Sequence, residues 1–372
     1  MRRPSASIWL VDRTRFAALS QTGARIALAL IALLLAATFL ALDAPAPPAV
    51  SHQASARGDD QADVVLYESI VDGIRGGCDY YTVAADQLRA GHYPMRPFVT
   101  FRLPTLAMVQ ALLPAWATLA VLWLLTAGVV VAWYMRLKPA FVRVPPRIVA
   151  MVLLAGGLVV FVQPSLVAFH EIWAGLLIAL SLAIRKPGRW VEAVALALAA
   201  MLIRETAALY VGAMLLLALA EGERREAAGW AGACGIMALA VAAHAHAVAH
   251  VVEPLDLHSP GWAGLLGFGY FVHTMAISTA LAQLPMWLAA PLIGLALVGW
   301  AARRDPLALR ALAMFALYAA LLGVAGRVDT IYWGLLVAPT LLVGLAFVPD
   351  ALRDLFGAAG ERRRITVTRV VR

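Results

Sequence analysis

The chain has 372 residues, of which 62% are hydrophobic and 14% are charged, and its formal net charge is +8 at pH 7. Soluble globular proteins carry about 45–50% apolar and about 25% charged residues, so this composition excludes an ordinary soluble enzyme. The basic residues form short clusters between apolar stretches rather than one soluble basic face, which argues against nucleic acid as a partner. We therefore interpret the chain as an all-α polytopic membrane protein.

The first apolar stretch, about residues 26–43, follows an N-terminal tail, residues 1–25, that contains five arginines. This charge order is also typical of a signal peptide, but the stretch exceeds the usual apolar region of about 7–15 residues. We expect an uncleaved first span, and the Ala and Pro residues that follow leave cleavage as the alternative.

Apolar stretches predict about ten transmembrane helices between residues 26 and 348. Their ranges are 26–43, 114–135, 148–165, 168–184, 190–203, 206–220, 227–250, 283–302, 307–324 and 332–348. With both termini placed in the cytoplasm, 23 of the 30 Lys and Arg residues lie on the inner side, as the positive-inside rule requires. We expect an integral protein of the bacterial inner membrane with a basic cytoplasmic tail at 349–372.

The same topology gives external loops at about 44–113 and 251–282. Only nine of the 22 acidic residues remain inside, so the outer face is acidic and is where we expect chemistry. In the first loop, apolar residues at three- and four-residue steps predict short amphipathic helices at 63–74, 81–90 and 101–113. Asp79 is placed to cap the second of these helices.

Several middle spans are short for a membrane helix. Residues 190–203 would extend only about 21 Å, against a hydrocarbon core of about 30 Å. Ionisable residues follow at the outer ends of such spans, as in His170-Glu171 and Arg204-Glu205. Polar groups at membrane depth are tolerated where they line a watered cavity. We expect a cavity that opens outward and is covered by the first external loop.

Three sequence stretches resemble a known superfamily. They are Asp63…Tyr67…Gly77-Cys-Asp-Tyr-Tyr81…Leu88-Arg89-x-Gly91-x-Tyr93-Pro94…Arg102-x-Pro104, Glu171-Ile-Trp-Ala-Gly175 and Leu202-Ile-Arg-Glu205. Together they resemble the C-type glycosyltransferase superfamily over about residues 60–215. The resemblance implies a membrane enzyme that transfers a sugar from a polyprenyl-phosphate carrier to a glycan, lipid or protein acceptor on the periplasmic side.

In such enzymes an acid in the first external loop acts as general base, and the anomeric carbon is inverted. By position this acid is Asp63, while Asp79 and Asp60 are the alternatives. Physical reasoning supports the role without selecting the residue, because several outward acids occur in this loop and any of them could be a solvated loop residue. The leaving phosphate needs cationic stabilisation rather than an acid.

Candidate groups for the donor phosphate are Arg204, Arg327, Arg102 and Arg96, since guanidinium matches phosphate oxygens. Each has a structural alternative. Arg96 and Arg102 could reach lipid headgroups, Arg204 could form a buried ion pair with Glu171 or Glu205, and Arg327 could stabilise its own loop.

The candidate residues for sugar and acceptor binding share an outward position and a hydrogen-bonding side chain. They are Tyr67, Tyr80, Tyr81, His170, Glu171, Glu205 and His258. Paired-acid DxD spacing and zinc motifs are absent from the sequence, so we expect no cofactor and no metal, although the outer acids could hold a divalent cation. Membrane lipids are the remaining expected partners.

Two other functions remain open. A transporter or flippase of a lipid-linked or amphiphilic solute would also need many spans, but transporters often contain repeated halves and charges along mid-membrane helices. This chain has no clear internal repeat, and its unusual polarity is confined to the outer side. The third possibility is a non-catalytic assembly factor with a degenerate site.

Overall fold

Helices account for most of the chain in a computed structural model, which describes residues 8–45 and 59–360. These ranges contain no β-strand, only three isolated β-bridges. The first eight α-helices are α1 Gln21–Thr38, α2 Asp59–Arg75, α3 Tyr80–Ala90, α4 Thr105–Leu112, α5 Ala115–Leu137, α6 Val144–Leu158, α7 His170–Ile184 and α8 Val191–Ile203. The next seven are α9 Ala208–Ala220, α10 Arg224–Ala249, α11 Gly267–Ile277, α12 Met286–Ala302, α13 Pro306–Ala320, α14 Ala338–Leu341 and α15 Val348–Gly360.

Five helical stretches are long and apolar enough to cross a membrane, which makes this a polytopic membrane protein. Counting adjoining 3-10 or π turns, they are Gln21–Asp43, Ala115–Ala140, Val144–Val162, Arg224–Ala249 and Pro306–Ala325. Four of the other predicted spans correspond to shorter apolar helices. These are His170–Ile184, Val191–Ile203, Glu205–Ala220 and Met286–Ala302.

Helix α7 forms the centre of the bundle. Thirteen of its fifteen residues are buried, and it contacts α5, α8 and α13. Helix α8 has only 13 residues, which corresponds to about 20 Å. The first residue of α7, His170, and the residue that follows α8, Arg204, are both buried.

The last predicted span differs from a regular membrane helix. Residues Ile331–Leu336 and Leu342–Phe347 are 3-10 segments on either side of the four-residue α14. Three glycines face carbonyl oxygens of this segment: Gly157 faces Pro339, Gly175 faces Leu335, and Gly299 faces Gly344. Irregular backbone is tolerated at membrane depth when it is buried in protein, and glycine permits the close approach. We name residues 331–347 the buried column.

The predicted first external loop follows the sequence pattern closely over residues 59–113, and we keep the name first external loop for these residues. Helices α2, α3 and α4 confirm the three predicted amphipathic helices. Helix α2 packs against both α3 and α4. Asp79 caps α3 by accepting hydrogen bonds from the backbone N–H groups of Tyr81 and Thr82. Residues 59–113 therefore form a folded layer of packed helices.

The second predicted external loop, 251–282, is only partly a loop. Residues up to Leu266 are irregular, but α11 is largely buried and contacts α12 and the 3-10 turn Phe39–Asp43. Tyr270, Phe271 and Val272 have no measurable exposure. Its small and aromatic residues, including Gly267-Phe-Gly-Tyr270, explain why a loop was predicted where a core helix exists.

The described ends of the chain contact each other. Asp350 of α15 is fully buried and accepts hydrogen bonds from the backbone N–H groups of Ile8, Trp9 and Leu10. Asp354 does the same for Thr14, through its N–H and its hydroxyl. The predicted cytoplasmic tails thus begin as a strap, residues 8–14, that is bound to α15 at one end of the bundle.

Candidate functional site

A cavity of about 470 Å³ lies between the first external loop and the ends of the short helices. Helices α2, α3 and α4 form one side, and the starts of α7 and the buried column form the other. Polar side chains from five separate segments converge on it. They are Asp63, Tyr67, Tyr80, Tyr93, Arg102, His170, Arg204, Glu205, Ser259, Arg327, Asp329 and Tyr332.

Helix α2 brings Asp63 and Tyr67 to this cavity on one face, since residues four apart lie above one another on a helix. The same face buries Leu66, Ile70 and Val71, which line the apolar part of the cavity. Burial is the main cause of the raised pKa of the Tyr67 phenol. The charge of Arg102 opposes this shift, and the nearby charge of Asp63 adds to it. The alternative base Asp60 has its side chain outside the described residues.

Arg102 is held by two tyrosines. Its Nε donates a hydrogen bond to the hydroxyl of Tyr67 at 3.1 Å, and the hydroxyl of Tyr80 donates to its carbonyl oxygen at 2.6 Å. Burial raises the pKa of both tyrosines, so their hydroxyls stay neutral. Among the described residues no carboxylate lies within 4.0 Å of this guanidinium, and its charge is therefore uncompensated at short range.

Arg204 has a different environment, although it lines the same cavity. Its Nε lies 2.5 Å from Oε1 of Glu171, and its Nη1 lies 3.1 Å from Oε2 of Glu205. Glu171 is 1% exposed and does not line the cavity, so it supports Arg204 from behind. The buried ion pair that the sequence left open is thus present with both glutamates. Glu205 also accepts a hydrogen bond from the N–H of Leu103 at 3.3 Å, which joins α8 to the loop.

Arg327 lies on the opposite wall, before the buried column. Its Nη2 is 2.5 Å from Oδ2 of Asp329, and its Nη1 donates to the hydroxyl of Ser259 at 3.4 Å. This arginine joins the last outer loop to the second external loop. Asp329 therefore compensates part of the charge of Arg327, which also lines the cavity.

His170 is the first residue of α7 and is 3% exposed. Its ring packs edge-on against Tyr67, with centroids 4.7 Å apart. Neither ring nitrogen has a hydrogen-bond partner among the described residues. A buried polar group without a partner is costly, so this imidazole is available to a ligand in the cavity.

Besides Glu171, four predicted residues with described side chains lie outside the cavity lining. Asp79 is used as the cap of α3, and the hydroxyl of Tyr81 bonds to Nδ1 of His244 at 3.2 Å. Arg96 donates to the carbonyl of Glu253 at 2.6 Å. His258 is exposed and forms a β-bridge with Arg96. The contacts of Arg96 with Glu253 and His258 join the two external loops.

Tyr332 and Ser259 line the cavity although no sequence pattern predicts them there. Both come from segments whose position depends on tertiary packing, and Tyr332 is the second residue of the 3-10 segment Ile331–Leu336. Its proximity to Arg327 in the sequence was the one available signal. No group of three or more His, Cys, Asp or Glu side chains suited to a metal ion occurs within residues 8–45 and 63–360.

Comparison with known proteins adds no family assignment. Neither the family models, nor the curated proteins, nor the solved structures give a match to this chain.

Proposed function

We propose that this protein is an inverting membrane glycosyltransferase that takes a sugar from a polyprenyl-phosphate carrier and transfers it to a glycan, lipid or protein acceptor. One observation carries the proposal. A single cavity joins a loop carboxylate, Asp63, to an arginine, Arg102, that has no carboxylate partner in the described part of the chain. These are the two charges that transfer from a phosphate leaving group requires.

In the proposed reaction the Asp63 carboxylate accepts the proton of the acceptor hydroxyl. The acceptor oxygen attacks the anomeric carbon from the side opposite the phosphate, and the bond between that carbon and the phosphate oxygen breaks. The electron pair leaves with polyprenyl phosphate, so the configuration inverts. Arginine donors stabilise the charge that grows on the leaving phosphate.

The charge environments rank the three arginines of the cavity as phosphate ligands. Arg102 comes first, because its guanidinium donates to the neutral hydroxyl of Tyr67 and has no carboxylate within 4.0 Å in the described residues. Arg327 comes second, since Asp329 compensates part of its charge. Arg204 is neutralised by Glu171 and Glu205, so it acts by positioning the site.

The aromatic residues of the cavity support a sugar as the transferred group. Tyr67, Tyr80 and Tyr332 offer hydroxyls beside Arg102, while Trp262 and Trp333 offer flat surfaces on the far wall. Aromatic rings combine an apolar face with a polar tip, which suits a pyranose. His170 adds a hydrogen-bonding group that the described residues leave unused.

We place the cavity on the periplasmic side of a bacterial inner membrane, with ten spans and both termini in the cytoplasm. The five long apolar stretches, the four shorter apolar helices and the buried column together make up the ten spans of this proposal. At the other end of α7, the buried pair Arg185–Glu226 ties α7 to α10. This pair leaves Arg185 with no unmatched charge for a solute at that end of α7, which favours chemistry at the other end.

The test is release of polyprenyl phosphate by purified protein supplied with polyprenyl-phosphate sugars and candidate acceptors. Asp63→Asn should lower turnover by about 10²–10⁴-fold, the usual contribution of a general base, with an unchanged midpoint of thermal unfolding. Asp79→Asn is the matched control, because asparagine is an equally good helix cap. It should retain the wild-type rate.

Two results would overturn the proposal. One is full turnover by Asp63→Asn in folded protein, which would remove the assigned base. The other is movement of the carrier lipid across proteoliposome membranes without release of polyprenyl phosphate, which would identify a flippase.

A further inference from the structure

A second cavity, of about 320 Å³, lies at the end of the bundle that holds the strap. It is formed by the strap, the end of α5 and the turn between α12 and α13. Four arginines and two aspartates line it. They are Arg13, Arg136, Arg303, Arg304, Asp12 and Asp305.

The two aspartates do not neutralise this cavity. Asp305 is already shared, with Oδ1 at 3.2 Å from Arg136, Oδ2 at 3.5 Å from Arg303, and a further hydrogen bond from the N–H of Leu307. Arg13 and Arg304 are exposed and have no carboxylate within 4.0 Å in the described part of the chain. The cavity therefore keeps a local excess of positive charge.

Unused hydrogen-bond donors point to a ligand as well. The Nε of Arg136 is buried and has no hydrogen-bond partner in the described ranges. The guanidinium of Arg303 lies 5.2 Å from the centre of the Phe347 ring, which fixes its orientation. Two inner arginines are thus preorganised by Asp305 and Phe347, while two outer ones can close over an anion. Guanidinium groups arranged in this way favour phosphate oxygens.

The surroundings of the cavity favour a lipid over a free anion. Val11 and Val142 are 53% and 55% exposed. Their positions are fixed, because Val11 donates a backbone hydrogen bond to Ala140 and Val142 donates one to Trp9. Exposed apolar residues beside a basic cavity at the ends of membrane helices are typical of the boundary between headgroups and acyl chains.

We propose that this cavity binds the phosphate headgroup of an anionic phospholipid. The ligand joins the strap to the ends of α5 and α12, and so holds together segments that are distant in the sequence. This inference does not depend on the glycosyltransferase proposal, because it uses none of the residues of the first cavity.

The experiment measures binding of short-chain phosphatidylglycerol to the purified full chain in a neutral detergent. The wild type should bind it saturably, and more tightly than phosphatidylcholine or inorganic phosphate. The double variant Arg13→Gln/Arg304→Gln should bind it about 25-fold more weakly, since each basic residue near an anionic surface contributes on the order of a five-fold preference. Both positions are exposed, so the variant should fold normally.

Arg225→Gln is the matched control, because Arg225 is exposed at the same end of the bundle and does not line the cavity. It should bind phosphatidylglycerol like the wild type. If Arg225→Gln weakened phosphatidylglycerol binding as much as the double variant does, the general surface charge would explain the binding. That result would overturn the proposed site. Inorganic phosphate that binds as tightly as the lipid would identify a site for a free anion and overturn the lipid assignment.

Discussion

Arginine residues at the two ends of α7 are paired in opposite ways. At its C-terminal end, Arg185 forms a double hydrogen bond with Glu226, at 2.9 and 2.6 Å, and Trp230 donates to the same carboxylate. At its N-terminal end, Glu171 pairs with Arg204, whereas the guanidinium of Arg102 donates to the hydroxyl of Tyr67 and has no carboxylate within 4.0 Å in the described residues. The pairs of Arg185 and Arg204 are complete without a ligand, and the environment of Arg102 is not. A buried arginine with a carboxylate partner therefore marks structure, and one without such a partner marks a binding site.

The largest expected effect concerns the C-terminal end of α7, where Arg185 and Glu226 form a complete ion pair. Glu226→Gln removes the two-pronged carboxylate partner of Arg185 and leaves its buried guanidinium only the longer contact with Glu221, at 3.5 Å. Breaking a buried pair in this way costs about 3–5 kcal/mol of the free energy of unfolding. Thermal unfolding in detergent would measure the change.

The paired control for that variant is Arg185→Met/Glu226→Leu, which removes both charges and keeps the volume. It should recover most of the lost stability, because well-packed apolar replacements of an ion pair are often neutral. Equal losses in the single and double variants would mean that the contact matters for packing rather than for charge.

The second prediction concerns Arg102, whose guanidinium lacks a carboxylate partner in the described residues. Arg102→Gln should lower kcat/KM for the lipid-linked donor by about 100-fold, the typical effect of removing one preorganised donor to a developing anion. Stability should change little, because Arg102 has no short-range carboxylate among the described residues. Steady-state kinetics and the thermal midpoint together test both statements.

Arg96→Gln provides the comparison for this variant, since Arg96 lies outside the cavity lining and binds the carbonyl of Glu253. It should leave kcat/KM near the wild-type value. If both substitutions lowered kcat/KM equally, the effect would come from the total charge of the outer face and not from the position of Arg102. That result would contradict the assignment of Arg102 as a phosphate ligand.

A smaller effect is expected at the cap of α3, which positions the cavity wall without touching the reacting groups. Asp79→Ala should lower the free energy of unfolding by about 1 kcal/mol, because the N–H groups of Tyr81 and Thr82 lose their acceptor. Asp79→Asn should lose almost nothing. Chemical unfolding of the two variants side by side would separate the lost cap from the lost charge.

The smallest effect concerns pH and the contact between the external loops. The hydrogen bond from Arg89 lowers the pKa of Asp256 from its usual value of 3.8. A carboxyl with a depressed folded-state pKa stabilises the fold above its unfolded pKa, and this contribution is lost as pH falls through the folded value. The difference in thermal midpoint between wild type and Asp256→Asn should therefore be constant above about pH 5 and shrink below about pH 4. A difference that grew on acidification would contradict the assigned direction.

The sequence predicted much of the first cavity because its residues follow local rules. The apolar period of α2 places Asp63 beside Tyr67, and the shortness of α8 places Arg204 at membrane depth. Their pairing could not be predicted, because it depends on distances across the bundle. Nothing in the sequence shows that Arg204 is neutralised and that Arg102 is not.

The same limit explains the differences in the fold. The buried column and α11 have apolar sequences that fit several backbone conformations, and neighbouring helices decide between them. Gly175 facing the carbonyl of Leu335 is a tertiary contact with no sequence period. The amphipathic loop helices were predictable because each one carries its own polar and apolar faces.

The glycines around the buried column also limit how the protein can move. A methyl group added to Gly157, Gly175 or Gly299 would collide with backbone carbonyl oxygens rather than with movable side chains. Helices α6, α7 and α12 are therefore held at fixed heights along the column, with no free space in which to slide past it. The wall of the first cavity that carries His170 and Tyr332 is therefore a rigid support, and we expect any opening of this cavity to come from helices α2, α3 and α4 on the other side.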